Sequence, residues 1–234
     1  GVHAIKVGSG ELTNIPFLQH LARLRVPLIV STGMANMQEV AQAVEVVGHQ
    51  PFALLHCVSA YPTPMEEVNL KAITTLAKRF ECPVGFSDHT ESDMLTPMLA
   101  VGAGACIIEK HLTLSRSMIG PDHLASLEAQ EFTDMVGAIQ AAAMMLGDGV
   151  KHCQPAEEAM LVKVRRAIRA TRDIAKYEHF SPDNIGILRP GGWPAPSEWP
   201  YAIGLESRLD VKAGEAISMT GPDLVVMDRV QISL

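Results

Sequence analysis

Two histidines close two runs of similar character in this chain. His89 ends "GFSDH", and His111 ends "CIIEKH", 22 residues further on. Each follows a β-branched or apolar run and stands inside a polar cluster. A lone histidine after a strand is usually structural. Two at equivalent positions of consecutive strands form a pair, because neighbouring strands lie about 5 Å apart. Their imidazoles can then meet at one ion and leave positions open for water and substrate. Two nitrogens suit a weakly held, water-rich ion such as Mn2+, or Mg2+ or Co2+, better than structural Zn2+. Asp88 either orients His89 or belongs to a plain surface turn.

Other polar groups close strands in the same way. "KVGSGE" (6–11) sets glycines alternately beside Ser9. Such a segment is either a tight strand-to-helix turn or a cradle of backbone N–H groups for an anion, to which Lys6 adds charge. Ser31, Ser59 and Ser87 each end a strand and would extend an anion site. Tyr61 in "SAYPTP" is either a packed turn aromatic or a substrate contact. In "IGPDHLASLE" (119–128), Asp122 either caps a turn or, with His123, faces the same mouth. Arg189 in "LRPGG" is a surface charge or a cation delivered into an active site, on a partner subunit if need be.

The elements that must position these residues alternate. Short apolar runs occur at 4–7, 27–32, 52–60, 83–87 and 105–110. Between them lie helical periodicities. In 35–47, Met37, Val40, Ala41, Val44 and Val47 share a face, and Asn36 with Glu39 reads as a capping pair. In 126–146, Phe132, Met135, Val136, Ile139, Ala143 and Leu146 do the same, with Ser126 as the cap. Strands that are nearly all apolar belong to a parallel sheet buried on both faces. The class is therefore α/β, with five βα units. A dinucleotide-binding sheet should carry a third glycine after its first strand, and "KVGSGE" lacks it. In a (β/α)8 TIM barrel, polar residues at the carboxyl ends of the strands converge on one mouth. The sequence predicts such a barrel in part, five of its eight units, over residues 1–146. A linker (147–162), a small β-rich module (163–226) and a tail (227–234) follow. The module carries an internal repeat, "RDIAKYEHFSPDNI" (172–185) against "LDVKAGEAISMTGPDLV" (209–225), around a Pro/Gly/Trp-rich loop at 188–200.

Composition narrows the function. Of 234 residues, 47% are hydrophobic, and 19 basic against 26 acidic residues give a net charge of −7. That excludes non-specific nucleic-acid binding while leaving room for a small anion held by local cations. Four cysteines without metal-ligand spacing read as reduced structural thiols, two of them, Cys57 and Cys106, inside apolar runs. No signal peptide and no membrane-spanning run is visible, so a cytoplasmic protein is expected. The chain opens on Gly1 rather than Met, and is expected to be incomplete there.

In order, "KVGSGE", "LIVSTGM", "LLHCVSAYPTP", "GFSDHT", "IIEKHLT" and "GPDHLASLE" closely resemble the N-acetylneuraminate (sialic acid) synthases. The segment with "LRPGG" resembles the antifreeze-protein-like SAF module of those enzymes, a β-clip. The resemblance runs to about residue 226. It implies a metal-dependent condensation of phosphoenolpyruvate with an N-acetylmannosamine-type sugar, releasing phosphate. It implies that His89 and His111 hold the metal and that Lys6, Ser9, Ser31, Ser59 and Ser87 line the phosphoenolpyruvate pocket. Glu11, Tyr61 and Asp122 would contact the sugar. Arg189 would reach its N-acyl group from the other protomer of a domain-swapped homodimer. Ser59 stands where family members often have Asn. The family's first three βα units, which carry an acidic residue, a lysine and a threonine, have no counterpart here. The chain thus resembles the C-terminal two-thirds of a synthase, with sheet edges exposed. Three alternatives stand beside this reading. One is a legionaminic acid synthase acting on a bacillosamine-derived sugar. Another is a metal-dependent barrel aldolase sharing only the histidines. The third is an inactive truncated copy or carbohydrate-binding fragment.

Overall fold

Five strands pair in parallel and in chain order: β1 (Ile5–Val7), β2 (Leu28–Ser31), β3 (Phe52–Cys57), β4 (Val84–Asp88) and β5 (Ile108–Lys110). They fall on the five apolar runs of the sequence. The computed structural model describes residues 1–92 and 94–219. The end of the second repeat copy and the tail at 227–234 lie outside the described residues. Parallel neighbours need a crossover, and each consecutive pair has a helix between its strands. These are α1 (Ile15–Arg23), α2 (Met37–Val47), α3 (Lys71–Phe80) and α4 (Leu95–Gly102); α5 (Ala129–Leu146) follows β5.

The curvature of the sheet can be read from one ion pair. Lys6 on β1 and Glu109 on β5 meet at 3.4 Å, although three strands lie between them. In a flat sheet, strand spacings of about 4.8 Å would hold those edges roughly 19 Å apart, farther than a lysine and a glutamate reach. The sheet is therefore curled into a trough, half of a (β/α) barrel. Its convex face carries the core. Val7, Leu28, Val30, Leu54, Val84 and Phe86 pack against helix residues such as Leu18, Val40, Ile73 and Ala100. Alternation then sends Lys6, Ser31, Cys57, Ser87 and Glu109 to the concave side, and register puts Cys57, Ser87 and Glu109 on one rung across three strands.

Helix α2 begins as the sequence indicates. The Asn36 side chain accepts from the amides of Gln38 and Glu39, and Glu39 accepts from the Asn36 amide. Its buried face differs by a small rotation: Val40, Ala43 and Val47 are buried, Ala41 is only partly so, and Met37 is exposed. Helix α5 departs further. Its cap is Glu128, whose amide donates to Glu131, while the Ser126 hydroxyl donates to the Asp122 carbonyl instead. Of the six residues expected on its inner face only Met135 is buried, and Ala143 and Leu146 are exposed. Periodicity reports that a helix has an apolar stripe. What lies against the stripe is decided elsewhere. Among the described residues no helix is long and apolar enough to cross a membrane. All four cysteines are free, with Cys57 buried and Cys106 exposed despite its apolar surroundings.

The chain divides into two compact units between Val150 and Lys151. The second contains α6 (Glu158–Val164), the antiparallel pair β6 (Ala167–Ala170) and β7 (Ile185–Leu188), and a short α7 (Trp199–Ala202). Ile168, Ile174, Phe180, Ile185, Val211 and Ile217 form its core. The internal repeat is physical. Ile174 bridges Val211, the Asp173 carboxylate accepts from the Ala213 amide, and the Asp210 carboxylate accepts from the Lys176 amide. The two copies clasp each other through equivalent bonds.

Candidate active site at the carboxyl ends of the strands

Each strand of the trough delivers its polar end to the same rim. His89 directly follows β4 and His111 directly follows β5, and their ring centroids are 5.3 Å apart at an interplanar angle of 65°. The Nδ1 atom of His89 lies 2.8 Å from the Val58 carbonyl, which can only accept, so Nδ1 carries the proton. Nε2 is then a lone pair. The nearby Ser87 hydroxyl, 3.4 Å away, cannot donate to it, because that proton goes to Glu109 Oε1 at 2.6 Å. Burial holds His89 below its ordinary pKa, and the neighbouring His111 lowers it further against the pull of the Val58 bond. A neutral imidazole with a fixed tautomer and an undonated Nε2 is the form that binds a cation.

The pair fits a divalent ion. With metal–nitrogen bonds of about 2.1 Å, two imidazoles on adjacent positions of one ion have centroids roughly 5 Å apart. Among the described residues, no group of three or more His, Cys, Asp and Glu side chains is arranged to hold a metal. Two protein nitrogens leave the remaining positions to water or substrate. Tyr61 walls this corner, 4.2 Å from the His89 ring and edge-on to His111 at 5.7 Å. Partial burial raises its pKa, with Cys57, Asp122 and Glu109 adding to the rise. Asp122 thus belongs to the electrical surroundings of Tyr61, although its side chain is exposed.

Beside the imidazoles lies a second set of groups. Glu109 pairs with Lys6 through one oxygen and accepts from Ser87 through the other. Ser9 accepts from the Gly33 amide at 3.1 Å and sits 3.0 Å from Cys57 Sγ. A methyl at Gly33 would run into Ser9 Oγ, Cys57 Sγ and Ser59 Oγ, so the rim needs glycine there. The hydroxyls of Ser31 and Ser59 are buried without a hydrogen-bond partner among the described residues. Orphaned hydroxyls are costly, and a ligand with several acceptor oxygens would satisfy them.

Two expected residues stand apart from these sets. Glu11, in the 3-10 turn after β1, is exposed and accepts from Asn14 at 2.7 Å. Arg189 stands in the second unit, where its Nε donates to the Val164 carbonyl. Asp88 is a correction, since its carboxylate makes no hydrogen bond to the His89 ring and does not lie in a surface turn. It is fully buried and bonded to Lys110 and to the Thr90 amide. The reason is alternation: residues 87 and 89 face the trough, so residue 88 faces the helices. Sequence reasoning missed Glu109, Cys57 and Gly33. The matched tripeptides "SDH" and "EKH" contained the signal for Glu109, because their outer members share a face.

Fold and rim together define a protein built on half of a (β/α) barrel, with a pair of histidines beside a set of small hydroxyl groups at the carboxyl ends of the strands. The chain belongs to the NeuB family, whose model matches residues 1–151, and a SAF domain model matches residues 165–220. It is 44% identical over 226 residues to the N,N'-diacetyllegionaminic acid synthase of Legionella pneumophila, an alignment that takes in 93% of this chain and 63% of that protein. The chain therefore spans somewhat less than two thirds of that relative's length. Among solved structures, it resembles the N-acetylneuraminic acid (sialic acid) synthetase of Leptospira borgpetersenii, solved with citrate. The match has a TM-score of 0.65 and 37% identity, covering 69% of this chain and 57% of that one. A putative spore coat polysaccharide biosynthesis protein E from Chromobacterium violaceum superposes over 93% of this chain and 66% of its own, with a TM-score of 0.75 and 29% identity.

Proposed function

We propose that this chain carries the catalytic rim of a nonulosonic acid synthase, which condenses phosphoenolpyruvate with a 2-acetamido sugar and releases phosphate. The observation that supports it best is the adjacency of the imidazole pair to the set Lys6, Glu109 and Ser87. One corner suits a carbonyl that must be polarised, and the other suits an anion.

In this reading His89 and His111 hold a divalent ion, preferably Mn2+. When bound, that ion supplies a Lewis acid for the open-chain aldehyde oxygen of the sugar. Ser31 and Ser59, whose hydroxyls lack partners among the described residues, donate to the phosphate or carboxylate of phosphoenolpyruvate, and Ser9 and Ser87 extend the pocket. Lys6 leaves Glu109 in part to meet that anion. The new bond joins C3 of phosphoenolpyruvate to the aldehyde carbon, the aldehyde oxygen gains a proton, and water adds at C2 before phosphate departs. Glu109 is the nearest base for the proton of that water. Tyr61 packs against the sugar, Glu11 and Asp122 bond its hydroxyls, and Arg189 of a second copy meets the N-acyl group in a swapped homodimer.

The acceptor favoured here carries two acetamido groups. The relative named for an N,N'-diacetyl product is 44% identical, against 34% for the human N-acetylneuraminate-9-phosphate synthase. The first test is a Mn2+ titration followed by melting temperature and isothermal phosphoenolpyruvate binding. A saturable rise in wild type that is absent from His89→Ala and His111→Ala is expected, with phosphoenolpyruvate binding dependent on Ser31 and Ser59. No rise in wild type would overturn the metal corner. Phosphate release with a 2,4-diacetamido sugar but not with N-acetylmannosamine would settle the acceptor.

A further inference from the structure

Behind the two histidines lies a buried ion pair that the proposed chemistry does not touch. Asp88 and Lys110 directly precede His89 and His111 and stand opposite each other in the β4–β5 register. Their charged groups are 3.1 Å apart, and both side chains are wholly inaccessible. They face the helices, so neither meets a substrate in the trough. Taking both charges out of water is costly, and apolar residues of similar size would serve stability as well. The pair must therefore be explained by something other than stability.

Its bonds converge on the backbone around His89. Asp88 Oδ1 accepts from the Thr90 amide at 2.8 Å, which makes a tight turn with His89 at its centre. Lys110 Nζ donates both to Asp88 Oδ2 and to the Thr90 carbonyl. One ammonium group thus grips the residues on either side of His89, and it belongs to the residue next to His111. The Thr90 hydroxyl continues the network to Thr96, in the first turn of α4.

We infer that the Asp88–Lys110 pair is a clamp that sets the separation and orientation of the His89 and His111 rings. They are positioning residues, acting through the backbone of the histidines. As a device for metal affinity, the inference rests on the reading of those histidines as metal-holding.

The test replaces the clamp with an apolar pair, Asp88→Leu with Lys110→Met, and adds Asp88→Asn alone as a milder variant. Two readouts are taken on the full chain. The first is Mn2+ affinity, from the electron-spin-resonance signal of free Mn2+. The second needs no metal: the exchange-protected Nδ1–H resonance of His89 in 15N-histidine-labelled protein, assigned by its loss in His89→Ala. We expect the folded variants to bind Mn2+ about 10- to 100-fold more weakly, the loss typical of removing groups that orient metal ligands. We also expect the His89 resonance to broaden or vanish while the rest of the spectrum stays dispersed. Wild-type affinity and an unchanged resonance in both variants would overturn the clamp and leave the metal corner standing. If wild type binds no Mn2+ but the resonance still follows the clamp, the metal corner falls and the positioning role stands. If the double variant does not fold, Asp88→Asn decides by the same two readouts.

Discussion

At the scale of single residues, the rim is built from small groups pressed together. Gly33 is the clearest case, because Ser9, Cys57 and Ser59 all occupy the space a methyl would need. Gly33→Ala should cost about 1–3 kcal/mol, less than a fixed obstruction would, since two of the obstructing atoms are hydroxyls that can rotate away. The rotated hydroxyls would no longer face the ligand. The expected result is loss of phosphoenolpyruvate binding by calorimetry with the melting temperature only modestly lowered. Retained binding would mean that Ser9 and Ser59 take no part in the pocket. Ser59 also bears on the expectation, from the resemblance, that Asn often stands at its position. Its hydroxyl is buried and has no partner among the described residues, so the shorter side chain leaves a hydrogen-bonding group that a bound oxyanion can use.

At the scale of elements, the chain's local rules held where both partners of a bond are close in sequence. The cap of α2 needs only Asn36 and residues two and three further on, and it formed as expected. Asn36→Ala should remove about 1 kcal/mol, seen as a fall of roughly 2–4 °C in the melting temperature for a chain of this size. An unchanged melting curve would show that α2 is held by packing alone. The cap of α5 differs from the expectation because residue type favours Ser126 over Glu128 as a cap. The helix is instead capped at Glu128, and the Ser126 hydroxyl donates to the Asp122 carbonyl in the loop after β5. Strand ends were legible for a similar reason. A period of two sends alternate residues to opposite faces, so "SDH" and "EKH" already separate trough-facing groups from a buried pair of opposite charge.

At the scale of the whole molecule, acid should cost the most stability where carboxylates are most tightly engaged. In the second unit the Arg172 guanidinium, 2.6 Å away, together with Asn184 and the Ala175 amide, holds the Glu178 carboxyl down to about 2 from an ordinary value of 4.5. The unfolded chain therefore binds more protons than the folded one between those values. The contribution of Glu178 is present above pH 4.5 and is lost as the pH falls toward 2. Melting temperatures at pH 6 and pH 3 should differ less in Glu178→Gln than in wild type. An equal drop in both would remove Glu178 from the acid response.

The amino-acid sequence alone determined the βα alternation, the parallel class, the strand ends that carry chemistry and the internal repeat of the second unit. All of these follow from periodicity and from bonds between residues close in the chain. Tertiary structure decided what depends on which groups meet from distant segments. It brought Lys6 to Glu109 by curling the sheet, and set Cys57 against Ser9. It also gave Asp88 to Lys110 instead of to a histidine or to water. The physical reason is the same in each case: a side chain's partner is fixed by sheet curvature and register, and those are properties of the assembled trough rather than of any one strand.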